Sequence, residues 1–290
     1  MANILALFKK YVALLDEVYK VSSLTAKLDS DSSLARQGAN ANEIIIPKLD
    51  MSGLGDYSRN DGYVNGDVTL TNQTVTFNYE RGRMFTVDAM DNEETAFLAF
   101  GRLASEFIRT KVIPELDAFR FATYASTPGI SKATPATLAD GTAVINALKA
   151  AKSKMTNDEV PQEGRHLFIT STHYDNVIDL NTSASKEIWK SFASITIVPE
   201  SRFYTAIDLR DGKSTGEETG GYIKAAGGKD INFLIIHIPA LMQYTKHVAP
   251  KVITPEQNQN ADAWKFGYRN YGLADVYDNK LAGIYLHNKA

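Results

Sequence analysis

Apolar positions in the first twenty residues recur at helical spacing. Ile4, Phe8, Tyr11, Val12, Leu15, Val18 and Tyr19 share one face, and Lys9, Lys10, Asp16, Glu17 and Lys20 take the others. This predicts an amphipathic helix. From Leu28 to Asn42 the chain runs through Asp29-Ser30-Asp31-Ser32-Ser33 and Gln37-Gly38-Ala39-Asn40, which is linker chemistry. The helix could pack on its own domain, but a linker behind it favours an arm that docks on a partner.

The period then changes from helical to alternating. Ile44-Ile45-Ile46 reads as a strand stopped by Pro47. Residues 51–67 hold Gly53, Gly55, Gly62 and Gly66 among polar residues, a long loop or tip. Val68-Thr69-Leu70-Thr71 and Thr74-Val75-Thr76-Phe77-Asn78-Tyr79 alternate around Asn72-Gln73 and predict a hairpin turning there. Arg81-Gly82-Arg83 reads as a turn into Met84-Phe85-Thr86-Val87-Asp88. A two-stranded ribbon is marginal alone in water, so this one needs a surface to lie on.

Asp91-Asn92-Glu93-Glu94 signals a helix start. Behind it Phe97, Phe100, Leu103, Ala104, Phe107, Ile108 and Val112 form an apolar stripe. Continued to Tyr124, the helix would hold about 30 residues and span roughly 45 Å. Pro114 removes one internal hydrogen bond and predicts a kink near residues 105–110. Residues 127–245 read as a mixed α/β unit: a helix over 138–154, a strand at 166–170, a second helix from Ser171 or Thr172, and strands at 194–199 and 231–238. The last is nearly all apolar, as a strand buried on both faces should be. Asp211-Gly212-Lys213-Ser214-Thr215-Gly216-Glu217-Glu218 reads as a polar surface loop. Residues 248–253 predict another strand, and 273–277 and 281–287 a closing hairpin about Asp278-Asn279.

Composition narrows the function. With 290 residues and 44% hydrophobic side chains, the chain can bury a real core in one large domain or two intimate ones. Cysteine is absent, which removes disulfides and thiolate chemistry, argues against structural zinc, and suits a reducing cytoplasm. Thirty-one basic against 34 acidic residues give a net charge of -3, without the basic excess of a tight nucleic-acid binder. Apolar runs such as 233–236 fall far short of the roughly 20 residues a spanning helix needs. Lys9 and Lys10 follow the first apolar run, the reverse of a secretory signal.

Motifs for chemistry come close and fail. Gly212-Lys213-Ser214 resembles the end of a phosphate loop, but Ile207 stands where a glycine is required. Residues 56–61 carry calcium-loop oxygens without the glycine and glutamate such a loop needs. His166, His173, His237, His247 and His287 show no helical metal pairing, and no serine lies in a nucleophile elbow. The carboxylate pairs Asp88/Asp91 and Glu93/Glu94 are explained by the start of a helix. Neither a catalytic residue nor a cofactor or metal site is expected.

The order of elements, with Arg83-Met84-Phe85-Thr86-Val87-Asp88-Ala89-Met90-Asp91-Asn92-Glu93-Glu94-Thr95, Phe107-Ile108-Arg109-Thr110-Lys111-Val112-Ile113-Pro114-Glu115-Leu116-Asp117, residues 160–170, and Tyr268-Arg269-Asn270-Tyr271-Gly272 onward to Tyr285, resembles the tailed-phage major capsid proteins. This is the fold typified by a Hong Kong coliphage and shared with encapsulins, and the resemblance covers essentially the whole chain. It implies an α+β fold: an N-terminal arm (1–42), an extended β-hairpin loop (43–89), a peripheral domain with a long spine helix (90–126 and 246–290), and an α/β axial domain (127–245).

The implied function is structural and non-enzymatic: hexamers and pentamers forming an icosahedral head around double-stranded DNA, in a virion assembled in the bacterial cytoplasm. Homotypic contacts are expected at Phe8, Tyr11, Leu15, Arg59, Asp61, Val75, Phe77, Tyr79, Arg81, Arg83, Glu93 and Glu94. Gly101 and Pro114 are the expected hinge of the spine helix. Some family members link a loop lysine covalently to a neighbour's asparagine. The lysine available here is Lys48, beside Pro47, and it reads better as a solvated side chain. The further implied partners are a separate scaffolding protein, a portal, non-specifically held DNA and a decoration protein. An encapsulin-like or gene-transfer-agent shell is the nearest alternative, and an α/β enzyme acting on a small molecule the alternative from another class.

Overall fold

The computed structural model describes residues 23–30, 36–37, 43–94, 103 and 106–290. Its strands, in chain order, are β1 Arg36–Gln37, β2 Glu43–Met51, β3 Val68–Thr76, β4 Tyr79–Asp88, β5 Ser131–Lys132, β6 Arg165–Thr170, β7 Ser194–Val198, β8 Ile207–Leu209, β9 Tyr222–Lys224, β10 Ile231–His237, β11 Leu241–Ile253, β12 Ala263–Val276 and β13 Ile284–Asn288. The α-helices are α1 Ala89–Glu94, α2 Ile113–Ser126, α3 Gly141–Asn157, α4 Ser171–Asp179 and α5 Ser183–Trp189.

A five-stranded sheet ordered β5-β13-β10-β6-β7 forms the centre. Strand alternation divides the side chains of β10 between two cores. Phe233 and Ile235 join Leu167 and Ile169 of β6 against Val144, Leu148, Ala151 and Met155 of α3. Leu234 and Ile236 join Phe168 against Phe121, Tyr124 and Ala125 of α2. Cover on both faces is why six consecutive residues of β10 are buried. Helix α3 begins at Gly141, three residues after the expected Leu138, because Asp140 Oδ1 accepts the Ala143 N–H at 2.7 Å. A side chain at Gly141 would stand 2.1 Å from the Asn176 carbonyl oxygen of α4. At the other end of α3, the buried Arg165 guanidinium donates to the carbonyls of Lys152, Val160 and Pro161 and to Thr156 Oγ1.

A second sheet, β11-β12-β4, packs Phe266 and Tyr268 against Leu103, Phe107, Ile108 and Val112, with Phe85 beside them. Between that helical stretch and α2, residues Ile108–Val112 form a π turn in which Ile113 N–H reaches the Ile108 carbonyl. Pro114 follows immediately. Its ring would crowd the Thr110 carbonyl in a regular α-helix, and the wider turn relieves that clash. The departure from α geometry therefore lies nearer the proline than residues 105–110.

Several local expectations are corrected. Pro47 does not stop β2, which continues to Met51 because β3 pairs along its whole length, with Asn72 opposite Pro47. Asn72-Gln73 makes no turn. It lies inside β3, paired with Pro47 and Ile46 of β2, and residues 52–67 close the hairpin. Arg81-Gly82-Arg83 is likewise continuous strand, and Gly82 is there because a Cβ would meet the Tyr268 carbonyl oxygen at 2.8 Å. The closing hairpin does not form: β12 and β13 enter different sheets, and β13 pairs with β10 beside the α/β elements. The chain has to cross between layers because each layer supplies a separate apolar surface. Helix α1 starts at Ala89, with Asp88 Oδ1 accepting the Met90 N–H at 2.9 Å, ahead of the expected Asp91-Asn92.

Candidate functional site

The β2–β3 hairpin is anchored at one end and solvated at the other. Ile44, Ile46 and Val75 are buried with Met242, Tyr244 and Leu273 of the body. Beyond that root Leu49, Met51, Leu54, Tyr57, Tyr63, Val64, Val68 and Leu70 are all more than half exposed, Leu54 completely. So many large apolar side chains on one projection mark a surface meant to be covered. The tip is ordered by its own chemistry. Ser58 and Gly62 form an antiparallel bridge, with Gly62 at φ +81°. Ser58 Oγ accepts the N–H groups of Asn60 and Asp61 at 3.2 Å and donates to Asp61 Oδ2 at 3.0 Å. The rings of Tyr57 and Tyr63 meet at 4.8 Å.

The residues expected to reach neighbours divide into groups. Arg59 and Asp61 stand exposed at the tip. Val75 is in the root and touches its own subunit instead. Phe77 stacks on Tyr271 at 4.9 Å under the Lys246 ammonium. Tyr79 and Arg81 are bound within the chain to Glu115, Arg81 Nε at 2.7 Å. Burial, together with the Glu115 carboxylate, raises the Tyr79 hydroxyl above the usual tyrosine range. Arg83 donates to the Glu218 carbonyl at 3.0 Å and runs between Gly212 and Gly220, pinning the polar loop to β4. In that loop the Asp211 carboxyl is held down at about 2 by the Ser214 hydroxyl and the N–H groups of Ser214 and Lys213. Lys48 pairs with Thr71 midway along the hairpin. Glu93 and Glu94 belong to α1, but their side chains, like Phe8, Tyr11, Leu15 and Gly101, lie outside the described residues.

A cleft of about 1050 Å³ opens between β4, the π turn and residues 199–224. Phe85, Phe107, Tyr204 and Ile223 line it together with Arg83, Lys111, Arg210 and Lys224. It was not legible in the sequence, since its walls come from three distant segments.

The sequence also concealed what holds residues 23–30. Leu28 is fully buried in the main core, so the stretch read as linker begins with an anchor. Lys27 Nζ donates to Ser194 Oγ at 2.8 Å and to Thr196 Oγ1, and lies 5.2 Å from the Phe168 ring centre. His166 Nδ1 lies 2.7 Å from the same Ser194 oxygen, with its pKa lowered by burial and then by Lys27. Lysine, hydroxyl and imidazole in a row suggest a nucleophile. Here, however, the ammonium is shared among two hydroxyls and a ring, which fixes a segment instead of activating one oxygen. Among the described residues no three His, Asp or Glu side chains gather as a metal site, and no helix is long and apolar enough to cross a membrane.

Together these features define an α+β body carrying a hairpin that is rooted in it and apolar beyond the root. No protein-family profile matches the sequence, and no curated protein matches it. Solved structures do. The mature capsid of bacteriophage PhiM1 is 12% identical with a TM-score of 0.65, over 95% of this chain and 90% of that one. The capsid of an empty gene-transfer-agent (GTA) particle is 12% identical at 0.59, over 97% of both. A virus-like particle from Pyrococcus furiosus is 11% identical at 0.57, over 99% and 98%. The chain has the tailed-phage major capsid fold.

Proposed function

We propose that this protein is a shell subunit without catalytic activity, assembling into hexamers and pentamers of an icosahedral head around double-stranded DNA. The observation that carries this reading is the hairpin. Its root is packed in its own subunit while its apolar outer half is bare, so other copies must supply the cover. Likeness to capsid structures over nearly the whole chain supports it. Residues 43–89 are then the extended loop, 1–42 the arm, 90–126 with 246–290 the peripheral domain, and 127–245 the axial domain. Head-to-tail contacts of this kind close into rings. The π turn before Pro114 is a natural hinge for a shell that changes size. A scaffolding protein, a portal and a decoration protein are the partners this role calls for, in a virion assembled in the bacterial cytoplasm.

Electron microscopy of the protein expressed alone and with its neighbouring genes tests the proposal. Closed particles tens of nanometres across are expected; a stable monomer at every concentration refutes it. Likeness to the Pyrococcus furiosus particle supports a second reading, a compartment shell of the same fold. Protein cargo in place of nucleic acid inside purified particles would select that reading.

A further inference from the structure

We infer that Asp117 is the positioning residue of the N-terminal segment: it fixes residues 23–25 on α2, and with them the point from which the preceding chain starts, so that on the shell reading it selects the neighbour that chain meets. The inference rests on the shell reading for its consequence, but its geometry is independent of it. Asp117, in α2, has no solvent exposure. Oδ1 accepts from Ser23 Oγ at 2.9 Å, Thr25 N at 3.3 Å and Thr25 Oγ1 at 2.7 Å; Oδ2 accepts from Leu24 N at 3.0 Å and Arg202 Nη1 at 3.1 Å. One carboxylate thus receives five donors, four of them from three consecutive residues of the segment.

The same segment is held from its other sides. Arg120, one turn further along α2, donates to Thr25 Oγ1 at 3.0 Å. Gln243 of β11 donates to the Thr25 carbonyl and to Asp29, both at 2.7 Å. Ser30 bonds the backbone of the same strand, and Leu28 fills the core below. Asp117 and Arg202 bring together α2 and the turn after β7, so the segment is fastened where the two sheets meet. A buried carboxylate surrounded only by donors tolerates no donor in its place, because an amide nitrogen would face the Leu24 or Thr25 N–H. Residues 23–30 thereby give the preceding chain a fixed starting point, which is what an arm in the shell reading needs in order to find one neighbour.

The test compares wild type with Asp117→Asn and Thr25→Val. The second keeps the side-chain shape and removes one donor to Asp117 and one acceptor of Arg120 while leaving the carboxylate in place, and so guards against a variant that merely fails to fold. Tryptic cleavage after Lys27, followed by mass spectrometry on unassembled subunits, reports release of the segment. Cleavage should accelerate about tenfold or more in both variants while the α/β body stays protected. Assembly of the same variants should give particles of mixed diameter or open sheets. Unchanged cleavage overturns the inference. So does faster cleavage with wild-type particle size and yield, since the contact would then be merely structural. If wild type itself forms no particles, the shell reading falls and takes the positioning role with it, and the cleavage rates separately show whether the anchor exists.

Discussion

Replacing Leu54 and Tyr63 together by alanine should raise the concentration needed for assembly without weakening the subunit. Leu54 is 107% exposed and Tyr63 88%, so neither has a substantial home surface. Leu54→Ala removes three carbons at about 0.8 kcal/mol each if a neighbour buries them fully. Tyr63→Ala removes a ring worth about 2 kcal/mol on the same basis. Interfaces leave part of such surface wet, so roughly half, about 2 kcal/mol, should be lost per contact. In the proposed shell each subunit would give one hairpin and receive one, which makes this the loss per subunit. At about 1.4 kcal/mol per decade, the threshold concentration rises about 30-fold. Light scattering over a dilution series at fixed salt measures it, with the urea midpoint of the unassembled variant as control. An unchanged threshold refutes the role of the hairpin. An equal loss of subunit stability would show instead that the tip has a surface at home.

Three further outcomes follow from the packing. Burial holds the pKa values of His166, His237 and His287 below the usual histidine range, so the unfolded chain binds protons that the fold refuses. Stability should be complete above about pH 6.5 and decline below it; a lower urea midpoint at pH 5 than at pH 7 checks this, and His287→Gln should reduce the difference. Arg165→Met should cost about 3 kcal/mol in chemical denaturation, since it leaves the carbonyls of Val160 and Pro161 without their Arg165 donor. Gly141→Ala should cost about 2–3 kcal/mol by forcing α3 off α4, whereas Gly53→Ala, with nothing within 4 Å, should leave the melting temperature unchanged.

The sequence by itself determined the elements whose cause is local or whose surroundings are uniform. The apolar run of β10 stated that both its faces would be covered, and the alternation in residues 43–79 stated that a ribbon would form. The resemblance carried by residues 83–95 and 107–117 reached the overall plan, and the fold agrees with it. Of the residues the sequence pointed to as contacts, Arg59 and Asp61 stand exposed at the tip, whereas Val75, Tyr79 and Arg81 are bound inside the subunit, which only long-range packing decides. Only tertiary structure decided strand partners. Asn72-Gln73 has turn chemistry, yet β2, more than twenty residues upstream, pairs across it and holds the backbone extended. Long-range pairing outweighs a weak turn preference because each added ladder bond satisfies groups already fixed by the last. The anchor of residues 23–30 was hidden for the same physical reason. Ser23 and Thr25 show no role until a carboxylate more than ninety residues away accepts their donors, and no local pattern records where that carboxylate will be.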